Sequence, residues 1–159
     1  MLTVMTDPLT SLYTMLTKGW SLTDTDLKTI GNRELDAATK VHCTTGWYDD
    51  AFLGPQVTIT PVSGLEHFRA IGYSTHGERE QYDIGVWVQI DRSTGKGEGY
   101  AKKVLYAIRE EIRRICRDNS GGVGDVAKID VGTWRFVPEQ EADSPILHWV
   151  LTCTCEWYR

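Results

Sequence analysis

From Tyr82 to Asp91 the chain alternates without a break. Tyr82, Ile84, Val86, Val88 and Ile90 fall on one side, Asp83, Gly85, Trp87, Gln89 and Asp91 on the other. Strict period two admits a strand and excludes a helix, whose faces recur every 3.6 residues. One face is apolar and the other mostly polar, so the strand belongs to a sheet covered on one side only. The cover is legible just downstream. Over Tyr100–Asp118, Val104, Leu105, Ile108, Ile112 and Ile115 form one helical stripe, with Ala101 and Cys116 at its edge. Asn119-Ser120-Gly121-Gly122 ends that helix.

The remaining elements follow the same two periods. Val57, Ile59 and Pro61 alternate with Thr58, Thr60 and Val62, a strand closed by Ser63-Gly64 and followed by a polar loop at Ser74–Glu80. Ile129, Val131 and Thr133 alternate with Asp130, Gly132 and Trp134, and the run continues through Phe136 and Val137. In the last strand Leu147, Trp149, Leu151, Cys153, Cys155 and Trp157 share a face opposite His148, Val150, Thr152, Thr154 and Glu156. A short first helix carries Leu9, Leu12, Tyr13 and Leu16, opened by Asp7-Pro8 and closed by Lys18-Gly19. Residues 20–50 show weak periodicity and read as an extended arm or long connection, with a short strand at Lys40–Thr44. The order is α-β-β-α-β-β. It predicts an α+β fold, an antiparallel sheet with one long amphipathic helix packed on it. The 159 residues carry no boundary signal, so one domain spanning 1–159 is expected.

The net charge of −5 argues against coating nucleic acid or an anionic membrane. No apolar run reaches the length of a membrane helix, and Met1–Asp7 lacks the basic start of a signal peptide. Cys43, Cys116, Cys153 and Cys155 form no CxxC pair and read as reduced core cysteines. A zinc site from His42, Cys43 and His148 would match no known ligand spacing. Gly95-Lys96-Gly97-Glu98-Gly99 sits where a phosphate loop would. It fails both the Walker and the dinucleotide pattern, and it lacks the repeated βαβ context. His76 and Glu78 have no nucleophile beside them. No enzyme activity, cofactor or metal is therefore expected.

The long helix is the most informative element chemically. Between Lys102 and Arg117 it holds six bases (Lys102, Lys103, Arg109, Arg113, Arg114, Arg117) and two acids (Glu110, Glu111), a net +4 that leaves −9 for the rest. Lys102, Arg109, Arg113 and Arg117 make one ridge beside the apolar stripe. Such a ridge is either a solvated face or an interface. As an interface it can meet acidic segments of another copy, head to tail, an arrangement that closes a ring. The acidic candidates are Asp49-Asp50, Glu78 with Glu80, and Glu139, Glu141 and Asp143. Trp47 and Trp87 stand outside the apolar pattern, as aromatics at interfaces do. They could equally form a second, smaller core.

With its elements in this order, the chain resembles the tail-terminator (tail-completion) and related neck proteins of long-tailed double-stranded DNA viruses. The matching pieces are Leu9–Leu16, Val57–Val62 with Tyr82–Asp91, Tyr100–Asp118, and Ile129–Val137 with Ile146–Tyr158. The closing Thr152-Cys153-Thr154-Cys155-Glu156-Trp157-Tyr158-Arg159 is similar to the alternating ends common in that group. The stretch at 20–50 departs from its simplest members. The resemblance implies a virion protein, assembled in the host cytoplasm. It would form a ring, usually a hexamer, on the head-proximal end of the tail tube. The ring would stop tube growth and contact the tail tube protein and the head–tail connector. Viral DNA would pass through its centre without sequence-specific binding. Another neck component has the same outline. A different reading of the glycine turn and basic helix is a small nucleotide- or nucleic-acid-binding domain.

Overall fold

A computed structural model describes residues 8–22, 41–49, 54–68, 76–90, 97–123, 126–137 and 146–158. Its elements are α1 (Pro8–Gly19), β1 (His42–Thr44), β2 (Gln56–Phe68), β3 (His76–Gln89), α2 (Glu98–Asp118), β4 (Lys128–Val137) and β5 (Ile146–Tyr158). The fold is α+β, as the two periodicities require. The five strands form one sheet in the order β1-β2-β3-β5-β4. Four strands pair antiparallel, and β1 adds a parallel edge against β2.

Both helices lie on one face of the sheet. Val57, Ile59, Tyr82, Ile84, Val86, Val88, Leu147, Leu151, Cys153 and Cys155 form the sheet side of the core. Ala101, Val104, Leu105, Ile108, Ile112 and Ile115 of α2 close over them, and Leu12, Met15 and Leu16 of α1 fill the flank. The α2 stripe is the one the 3.6 period predicts, shifted only at its start, two residues before Tyr100. Asn119 ends the helix by donating from its side chain to the Ile115 carbonyl at 2.8 Å. Gly122 follows at φ 107°, and a Cβ there would stand 2.4 Å from the Val126 carbonyl oxygen. Only glycine turns the chain toward β4 in that space.

Two bulges separate the observed sheet from the pattern in the sequence. In β2, Pro61 pairs with Tyr82 but Ser63 with Gln81, which leaves Val62 as the extra residue, half exposed. Alternation changes phase there, which is why it looks finished at Ser63-Gly64. Backbone pairing instead continues to Phe68 opposite His76. Residues 76–80 are therefore strand, where the polar composition predicts a loop. In β4, Val131 pairs with Cys153 but Trp134 with Leu151. The extra residue moves Trp134 to the same face as Ile129, opposite to the side its sequence phase predicts.

The cysteines are free thiols, three buried and Cys43 partly so. Burial raises the Cys43 pKa to about 11. Hydrogen bonding with Cys153, and burial, raise that of Cys116. Most of 20–50, Asp7 and the 91–96 part of the glycine turn, with Lys96, lie outside the described residues. Among the described residues no helix is long and apolar enough to cross a membrane.

Candidate functional site

The ridge read from the sequence exists, and the fold gives it a neighbour that the sequence does not show. Of its four residues, Arg113 and Arg117 flank the buried stripe of α2 on the side of β4, the outer strand of the sheet, and Arg109 reaches Trp149 of β5. At one end Arg109 lies over two rings, its guanidinium carbon 4.6 Å from the centre of Tyr106 and 5.3 Å from that of Trp149. Trp149 packs in turn against Tyr106 at 5.7 Å and against Phe136 at 5.9 Å. Tyr106 and Phe136 stay 45% and 47% exposed, so a cation and an aromatic cluster share one accessible edge. Such a pairing attracts through the ring faces and is typical of interface centres.

At the other end Arg113 and Arg117 line a groove of about 340 Å³ between α2 and β4. On the β4 side it is lined by Ile129, Val131, Gly132 and Trp134, while the Asp130 carboxylate pairs with Lys128 at 2.9 Å. The Trp134 indole Nε1 is buried and has no acceptor among the described residues. The bulge in β4 puts that indole in the groove.

The ridge is partly neutralised within the helix. Lys102 pairs with Glu98 at 2.5 Å, and Glu110 serves both Arg109 at 2.9 Å and Arg113 at 3.1 Å. Partial burial pulls the Glu110 pKa up, but the two arginines override it and hold the carboxyl below its ordinary range. Arg117 has no ion-pair partner among the described residues. Glu111, counted in the sequence with the solvated charges, is buried. It accepts from the Ser21 backbone N–H at 2.6 Å and the Ser21 hydroxyl at 2.7 Å, and Arg114 donates to it at 2.8 Å. Arg114 also donates to the Gly19 carbonyl at 2.7 Å. These two residues fasten the end of α1 to α2 and are structural.

The acidic candidates divide. Glu78 and Glu80 belong to β3, not to a loop. Glu80 accepts a hydrogen bond from the Tyr82 hydroxyl, so it already has an internal donor. Asp49 lies on the sheet face opposite the helices, held there by Gln56. The Gln56 amide accepts from the Asp49 backbone N–H at 2.9 Å and donates to its carbonyl at 2.6 Å. Glu139, Glu141, Asp143 and Asp50 lie outside the described residues.

Trp47 and Trp87 do come together, on the face away from the helices. Trp87 donates to Thr58 Oγ1 at 3.0 Å, with Tyr48 at 5.1 Å and Trp47 at 6.3 Å between ring centres. Gln89 donates to the Tyr48 hydroxyl at 2.8 Å. Trp47 remains 72% exposed. His148, expected at the surface, is half-buried and stacks on Trp87 at 3.4 Å. Burial, and then the charge of Arg135, lower its pKa to about 4, so it is neutral near pH 7. The three groups of the zinc alternative do not converge. Cys43 packs against the core on the helix side, opposite the face His148 shares with Trp87.

No known family model matches the chain, and no curated protein matches it. Solved structures that do match include a chain from one titled "Virion of native gene transfer agent (GTA) particle". It is 11% identical, with a TM-score of 0.45, over 100% of both chains.

Proposed function

We propose that this chain is a structural, non-enzymatic virion protein. It acts as a tail terminator that closes into a ring on the head-proximal end of the tail tube and joins the tail to the head connector. The observation that carries the reading is the joint placement of the arginine ridge and the Tyr106–Trp149–Phe136 cluster along one edge of an α-β-β-β-α-β-β fold. A ring built head to tail needs two unlike surfaces on each copy. An exposed edge rich in arginine and aromatics, on a chain of net charge −5, supplies one of them. A net negative protein also lets DNA pass without the counterion release that makes basic channels bind. Another neck component shares this outline and differs in position within the particle.

The test is tube length. Tail tube protein is polymerised with and without this protein, and tubes are measured by electron microscopy. The reading expects short, capped tubes with density of this protein at one end only. Tubes of unchanged length with bare ends in a tenfold excess of the protein contradict the terminator role. Binding to an isolated connector in that case selects the neck alternative.

A further inference from the structure

Resting on the ring reading, we infer that the groove between α2 and β4 is the receptor for the acidic stretch 138–145 of a second copy of this chain. Arg113 and Arg117 would take the carboxylates of Glu139, Glu141 or Asp143, with the segment packed against Trp134. Three features point the same way. Arg117 has no ion-pair partner among the described residues, and Arg113 shares one carboxylate with Arg109. Trp134, on the helix side of the sheet, gives the groove an aromatic wall against which an incoming segment can pack. The stretch Pro138-Glu139-Gln140-Glu141-Ala142-Asp143-Ser144-Pro145 has three acids and no base.

Chain length excludes the copy's own stretch as the occupant of the far end of the groove. Its flanking residues Val137 and Ile146 belong to paired strands, Val137 lying opposite His148. Eight residues reach at most about 28 Å fully extended, so a stretch that must go out and return reaches about half of that. Ile129, beside Arg117, lies eight strand residues from Val137, about 26 Å away. Another copy has no such restriction.

The experiment uses the full chain and native mass. Reversal of the groove charges (Arg113→Glu with Arg117→Glu) and of the acidic stretch (Glu139→Arg with Glu141→Arg) should each raise the concentration needed for assembly at least tenfold. Circular dichroism and melting confirm that both variants fold. Mixed in equal amounts, the two variants should assemble into a ring of alternating copies, because every contact between unlike copies then pairs acid with base. All four reversals in one chain should restore the ring. A ring that survives reversal of the acidic stretch, or a mixture that stays monomeric, overturns this assignment and leaves the ring reading intact. A wild-type chain that is monomeric at every concentration and stays so on mixing with tail tubes overturns the ring reading itself. A melting shift with duplex DNA that Arg117→Ala abolishes, with no change of mass, makes the groove a nucleic-acid site and overturns the assignment.

Discussion

A methyl group added at Gly85 would stand 2.7 Å from Thr58 Oγ1, 2.9 Å from Trp87 Nε1 and 3.1 Å from His148 Nε2. The absent side chain is what lets the Trp87 indole lie across the sheet, donate to Thr58 and stack on His148. Gly85→Ala should therefore cost about 1–3 kcal/mol through overpacking, read from urea unfolding. Tryptophan fluorescence should shift in the folded state. Unchanged stability and emission would mean the stack is not built around that gap. His148 adds a pH signature. Its folded pKa of about 4 lies below the ordinary value of 6.5, so the unfolded chain binds the proton more readily. Stability from this group is complete above about pH 6.5 and is lost as the pH falls toward 4. Melting temperature should fall across that window in the wild type and more shallowly in His148→Gln. Parallel slopes would contradict the assignment. The period-two pattern placed Trp87 and His148 on the same, polar side of the sheet. It could not show that they pair, because cross-strand register depends on where neighbouring strands align.

The joint between α1 and α2 depends on one carboxylate. Burial pulls the Glu111 pKa up, but donors from Arg114 and Ser21 outweigh it and hold the group at about 2. Its stabilising effect is present above the ordinary value of 4.5 and is lost as the pH drops toward 2. Glu111→Ala leaves the Ser21 N–H and hydroxyl without their acceptor, while Arg114, partly exposed, turns to water. A loss of about 1–3 kcal/mol is expected. Amide exchange should speed up in α1 before it does in β3. Uniform exchange would show that packing of Leu12 and Leu16 alone holds the helix. Both helices were legible because their stripes obey one period from end to end. The ends of β2 and the phase of β4 were not, since a one-residue bulge reverses the faces of everything beyond it. That is how Trp134, apparently on the side away from Ile129, comes to line a groove with it. Glu111 was hidden for a related reason: in sequence it is one more charge on a charged helix, and only the approach of Ser21 makes it a buried anchor.

At the scale of the whole molecule, the fold sorts its surface into unlike parts. One face of the sheet is sealed by two helices, and the other carries polar side chains with an aromatic patch around Trp87. The β4 edge pairs arginines with exposed rings. The ridge itself was readable from spacing alone. Its aromatic partners were not, because Tyr106, Phe136 and Trp149 lie on three elements that meet only in the folded sheet. Of the acidic half of the expected interface, Glu80 has an internal donor, and the stretch at Glu139–Asp143 is the segment with three acids and no base. The central claim is that this edge joins copies of the chain into a ring. The most direct measurement is native mass across a concentration series at near-physiological salt, for the wild type and for Arg109→Glu with Arg113→Glu. The account predicts a closed assembly of about six copies, alone or on mixing with tail tubes. It predicts a folded monomer for the double reversal under the same conditions. A wild type that stays monomeric and ignores tubes, yet melts at a higher temperature with nucleotides or DNA, would contradict it.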